Sequence, residues 1–200
     1  MAAGRPRSFD ESEVLEQATQ VFWSQGFEAT SVAALEQATG LGRQSLYNAF
    51  GGKRALFLAC LAHYEQTRAC ARTARLDAAA DPLAAVMDLV QSWSAAARAR
   101  GCRGCLLLNT LSEFGGRDPE LMASVERVLV AEHEALAGAL GRAWAAGRLA
   151  PDIDPVALAR RLQATAQGLR LMARLDPEGA AVEEVVADTL WTLRRAERVG

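Results

Sequence analysis

The sequence predicts an all-α protein, and three observations carry that prediction. Apolar residues recur at helical spacing, helix-favouring alanine, leucine, arginine and glutamate prevail, and no alternating strand pattern with hairpin turns occurs. Half of the 200 residues are hydrophobic, enough for a substantial core. No stretch reaches the ~18 uncharged apolar residues of a membrane span. The N-terminal MAAGRPRSF carries charge but no apolar segment behind it, so no signal peptide is expected and a cytoplasmic location is. Four cysteines in that compartment are expected to stay reduced.

The elements follow in order. Asp10 and Glu13 form a capping-box pattern, with Phe9 and Val14 placed as a hydrophobic staple, so a first helix starts there. Its stripe is Val14, Ala18, Val21 and Phe22, and Gly26 supplies a left-handed stop. Thr30 or Ser31 caps a second helix whose apolar face is Val32, Leu35 and Ala38. Gly40-Leu41-Gly42 makes a sharp turn into a third helix, which ends at Gly51-Gly52. A fourth helix over 53–75 turns Leu56, Phe57, Cys60, Leu61 and Tyr64 inward.

Asp81-Pro82 opens a helix over 82–100, because proline suits the first helical position. Residues 102–114 read as a short apolar helix buried nearly all round. Asp118-Pro119 opens a long helix over 119–146, and 147–154 reads as a loop. Two further helices, over 155–174 and 179–195, bring the number to about nine, without an internal repeat. The organisation expected is a helix-turn-helix head over 1–52 and a larger ligand-binding and dimerisation body over 53–200, joined by the fourth helix.

The third helix carries the functional signal. Leu46 and Phe50 form its apolar pair, which leaves Arg43, Gln44, Ser45, Tyr47 and Asn48 outward. That set can donate to phosphates and base edges, and none of it is acidic. The net charge of −2 excludes a broadly basic coat, so a nucleic-acid reading rests on where the basic groups sit. No nucleophile motif, histidine–carboxylate pair, phosphate loop or metal cluster supports an enzyme, and no cofactor is expected.

Residues 10–57 resemble the DNA-binding domain of the tetracycline-repressor (TetR) family of transcriptional regulators. The matching elements are Phe22, Gly26-Phe27, Thr30-Ser31-Val32, Gly40, Ser45-Leu46-Tyr47, Phe50, Lys53 and Leu56-Phe57. The resemblance implies a homodimeric repressor, released from double-stranded operator DNA by a small-molecule inducer. It further implies that Thr30 or Ser31, Tyr47 and Lys53 grip the backbone, while Arg43, Gln44 and Asn48 reach base edges. Arg5 and Arg7, on an N-terminal arm, are open to backbone or minor-groove contact.

The body offers coarser signals. Trp93, Cys105, Asn109, Phe114, Met122, His133, Trp144, Gln163, Gln167 and Met172 supply aromatic walls and polar points for an inducer pocket. Cys102 and Cys105 form a CxxC without the other ligands that structural zinc requires. An alternative reading makes them a redox or electrophile switch, since a helix start among Arg98, Arg100 and Arg103 would favour the Cys102 thiolate. Ala157, Leu158, Leu162, Leu169, Val182, Val185, Val186, Leu190 and Leu193 form a stripe on the last two helices suited to a dimeric four-helix bundle. The arginines beside that stripe (Arg160, Arg161, Arg170, Arg174, Arg194 and Arg195) read as solvated.

Overall fold

The computed structural model describes residues 9–98, 103–175 and 178–198. The head comprises α1 (Glu11–Gln25), α2 (Val32–Thr39) and α3 (Arg43–Phe50). A long rod follows: α4 (Lys53–Tyr64) runs through a π-helical turn (Glu65–Ala69) into α5 (Cys70–Asp77) without a break. The rest is α6 (Pro82–Arg98), α7 (Leu106–Phe114), α8 (Pro119–Ala145), α9 (Pro155–Met172) and α10 (Ala180–Ala196). With α4 and α5 taken as one rod, nine rods stand among the described residues, as the sequence predicts.

Local chemistry fixes the helix ends. Asp10 accepts from the backbone N–H groups of Ser12 and Glu13, at 2.8 and 3.3 Å. Asp118 and Asp154 cap α8 and α9 in the same manner, each followed by proline at the first helical position. Gly26 departs from the expected left-handed stop: φ is 81° but ψ is 171°, an extended region open essentially to glycine. That geometry turns the next two backbone N–H groups toward α7.

Two cores stack along α8. Its first half (Leu121, Val125, Val128) joins the core that α1, α4 and α7 build around Phe22, Phe57 and Leu61. Its second half (Ala135, Leu136, Ala139, Leu140, Ala143) joins the core made with α6, α9 and α10. Twenty-seven residues span about 40 Å, so one helix ties head and body together. The C-terminal end is stapled back: Ala150 N–H donates to Ala196 C=O and Arg198 N–H to Arg148 C=O, both at 2.9 Å. Arg148 adds ion pairs to Asp81 and Glu197, at 3.0 and 2.7 Å.

Three sequence expectations change here. The short apolar helix begins at Leu106 rather than 102, because Gly104 takes a positive φ of 72° and Cys105 is extended. It is not buried all round: Leu106, Leu107 and Thr110 face inward, but Leu111 is 43% exposed. The stripe assigned to dimerisation is mostly consumed inside the chain, with Leu158, Leu162, Leu169, Val182, Val186, Leu190 and Leu193 buried in the body core. What α9 and α10 leave outside is Val156, Leu171 and Trp191, with Leu175 just beyond α9.

Candidate nucleic-acid interface and effector cavity

The turn into α3 is built from two glycines, a leucine and a borrowed cap. Gly40 closes α2 in the left-handed region, with φ of 67°. Gly42 has no side chain to cap α3, and Glu36 of α2 replaces it, accepting from the Arg43 N–H at 2.6 Å. Leu46 is buried under the head, while Arg43, Gln44, Ser45 and Asn48 are exposed on the opposite face. Tyr47 is half-buried and lies 5.2 Å beneath the Arg43 guanidinium. Gln44 Nε2 donates to Asn48 Oδ1 at 2.9 Å, so the two amides share one outward patch. Ser31 is exposed and caps α2 through Ala34 N–H. Lys53 sits over Phe27, its Nζ 4.5 Å from the ring centroid and 3.2 Å from the Glu28 carbonyl oxygen.

Thr30 is the exception. Its side chain is only 1% exposed, and its hydroxyl donates to the Gly26 carbonyl. It holds the α1–α2 corner and cannot reach a phosphate, a correction to the expected contact set. Arg5, Arg7 and Cys102 lie outside the described residues.

The head is held against the body by named contacts. Glu113 of α7 accepts from Phe27 N–H and Glu28 N–H, at 2.8 and 2.6 Å. Arg54 at the start of α4 is bidentate on Asp118, at 2.9 and 2.8 Å, and also reaches Glu120. Arg103 donates to the Gln20 carbonyl at 3.1 Å. Phe114, expected in the ligand pocket, instead joins this seam, its ring 5.3 Å from Phe27 and 6.1 Å from Phe57.

Where the two cores meet, a cavity of about 270 Å³ opens between the α4–α5 rod, α6 and α9. Trp23, Tyr64, Trp93, Cys105 and Leu169 line it, with Arg68, Arg72 and Arg170 as its charged points. A narrow extension of about 30 Å³ shares Arg72, Trp93 and Arg170 and adds Glu132 and Gln163. Arg72 pairs with Glu132. Arg170 lies 3.9 Å from the other oxygen of the same carboxylate. Burial opposes the Arg72 charge, but Glu132 outweighs it and holds the guanidinium more firmly protonated than in water. Burial also pushes the Tyr64 hydroxyl well above its ordinary pKa, which keeps it a donor at neutral pH.

The expected pocket residues divide. Trp93 and Cys105 line this cavity, and Gln163 its extension. Asn109 and Gln167 border a wider cleft of about 760 Å³ between α7, α9 and the end of α1. Met122 and His133 border a groove of about 440 Å³ along α8 and α9. Trp144 is 45% exposed near the end of α8 and lines none of these. Met172 packs against the body core. Arg170, expected on a solvated face, turns into the cavity instead. Arg68, Arg72 and Glu132 were missed as site residues. Glu132 had a sequence signal, since it interrupts the buried run Val128–Ala135–Leu136 at an inward helical position.

Comparison with known proteins agrees with this geometry. Residues 14–60 match the family model for bacterial regulatory proteins of the tetR family. Residues 79–188 match the model for a tetracyclin repressor-like C-terminal domain. The chain is 33% identical over 192 residues to YezE of Bacillus subtilis (strain 168), an uncharacterized HTH-type transcriptional regulator. That alignment covers 95% of this chain and 99% of YezE. It is 31% identical to ComR of Escherichia coli (strain K12), an HTH-type transcriptional repressor, over 96% of this chain and 90% of ComR. Among solved structures it is similar to a cysteine-substituted form of the regulator CifR complexed with 26-base-pair operator DNA. There the TM-score is 0.75 and the identity 32%, covering 95% of this chain and 98% of that one.

Proposed function

The chain belongs to the TetR family of bacterial transcriptional regulators, and from that premise we propose that it is a homodimeric repressor released from its operator by a small molecule. The observation that carries the DNA-binding part is the outward face of α3, where Arg43, Gln44, Ser45 and Asn48 stand exposed without an acidic neighbour on that helix. Residues 1–52 form the reading head, with α3 in the major groove. Ser31, Tyr47 and Lys53 hold the phosphates that fix its register. Two heads then meet half-sites about 34–36 Å apart.

The dimer uses the outer faces of α9 and α10, where Leu171 and Trp191 remain exposed. An inducer in the cavity beside Trp93 acts by favouring the dimer shape whose heads no longer match the operator. Support for that coupling comes from the cavity wall, since Trp23 belongs to α1 of the head.

Mapping of protected DNA upstream of the chain's own gene tests the reading. The expected result is a two-fold symmetric footprint that ligands of the cavity abolish. No protection of any promoter fragment, or a footprint of a single half-site, overturns it.

A further inference from the structure

We propose that the effector is a small monoanion with an apolar body, a monocarboxylate, whose charge is met by Arg170 at the junction of the two cores. The proposal rests on the repressor reading above and names the ligand class of its cavity.

The cavity wall is rich in donors and poor in acceptors. Arg68, Arg72, Arg170 and Tyr64 line it, and among the described residues the carboxylate on its walls and extension is Glu132. A lining of this kind selects a ligand that accepts hydrogen bonds.

The charges then decide its sign and number. Arg68 is matched by Glu16 at 2.6 Å. Arg72 takes one oxygen of Glu132 in an ion pair. Among the described residues Arg170 has only the far oxygen of that shared carboxylate, at 3.9 Å, beyond hydrogen-bond reach. Two guanidiniums facing one carboxylate leave one positive charge in surplus, partly withdrawn from water, and a buried charge is costly unless paired. A single incoming carboxylate balances it with a bidentate fork. A dianion would overshoot, and a cation would face Arg170 directly.

The remaining walls define the body. Leu89, Trp93, Ala166 and Leu169 are apolar. The cavity, about 270 Å³, has room beside Arg170 for a body the size of a benzoate or a short acyl chain.

The test pairs acids with their neutral isosteres. Benzoate, phenylacetate and hexanoate, and the three corresponding primary amides, are titrated into the full-length protein by calorimetry. Quenching of tryptophan fluorescence is followed in parallel, since Trp23 and Trp93 line the cavity. Each is also added to the protein–operator complex. At least one acid is expected to bind saturably, at least tenfold more tightly than its amide, and to release the operator. Arg170→Gln should remove the preference for the acid, and Arg170→Lys should restore part of it. Glu132→Gln, which frees both guanidiniums, should tighten acid binding several-fold; loss of binding in a Glu132→Gln protein that still melts cooperatively counts against the proposal. Equal binding of acids and amides, or binding by neither, overturns the monoanion assignment. If neutral apolar compounds release the operator while acids do not, the repressor reading stands and this inference falls. If acids bind with the Arg170 dependence but leave operator affinity unchanged, the site stands and its coupling to DNA release falls.

Discussion

At the scale of single residues, the proposed recognition divides between phosphate-holding groups, Tyr47 of α3 and Lys53 of α4, and base-reading groups on the outer face of α3. Tyr47 and Lys53 are anchored by ring contacts to Arg43 and Phe27, which holds their polar ends in place. Gln44 and Asn48 are tied to each other, a bond that the proposed base contacts would replace. Tyr47→Ala and Lys53→Ala are therefore expected to weaken binding to operator and random DNA alike. Gln44→Ala should cost ~1–3 kcal/mol at particular base pairs only, and Arg43→Ala should add to such a loss a smaller sequence-independent one through Tyr47. Fluorescence anisotropy with operator and scrambled duplexes reads the difference, and equal losses for all four variants would reject the division. Affinity should also fall steeply as salt rises, because counterions are released from the phosphates. Cys60 takes no part in any of this. Burial pushes its thiol up to about 12, so it behaves as a small core hydrophobe at neutral pH.

At the scale of elements, α1 and the rod are locked by one carboxylate. Glu16 meets His63 at 3.2 Å and Arg68 at 2.6 Å, and also accepts from Gln20. Burial pushes its carboxyl up, but the Gln20 hydrogen bond and the charges of Arg68 and His63 outweigh burial and hold it below its ordinary value of 4.5. The folded state thus binds this proton less readily than the unfolded chain does. The stabilisation is present above about pH 4.5 and is lost as pH falls through the lower, folded value. Urea melts of wild type and Glu16→Gln should differ near neutrality and converge in that acid window; parallel curves would remove Glu16 from the account. Helix ends were legible in the sequence because they depend on neighbours along the chain: Asp10 and Asp118-Pro119 start their helices as read. The cavity was not legible in this way. Arg72, Glu132 and Arg170 lie on three helices, and only packing shows that their inward positions coincide. A stripe such as Leu162–Leu169 announces burial without naming the partner, and here the partner is the chain's own core.

At the scale of the whole molecule, assembly and switching depend on what the fold leaves uncovered. Leu162 and Leu190 are 3% and 7% exposed, whereas Leu171 and Trp191 are 63% and 55% exposed. Leu171→Glu and Trp191→Glu are accordingly expected to give folded monomers that lose operator affinity. Leu162→Glu buries a charge and should unfold the protein, at more than about 3 kcal/mol. Light scattering beside thermal melts separates the cases, and a Leu171→Glu, Trp191→Glu double variant that stays dimeric would place the interface elsewhere. The π-helical turn sets a rule for reading relatives of this chain. In an uninterrupted α-helix, residues eight apart are about 80° out of line. The π turn takes one extra residue for the same rotation, so Tyr64 and Arg72 stand as though seven apart, within about 20° of each other. A relative that keeps all eight steps but winds them as plain α-helix would swing one of the two positions about 80° away from the cavity, whereas one lacking a single residue here would keep both in line without a π turn. The number of residues between those positions, and not only their identity, therefore belongs to the description of the site.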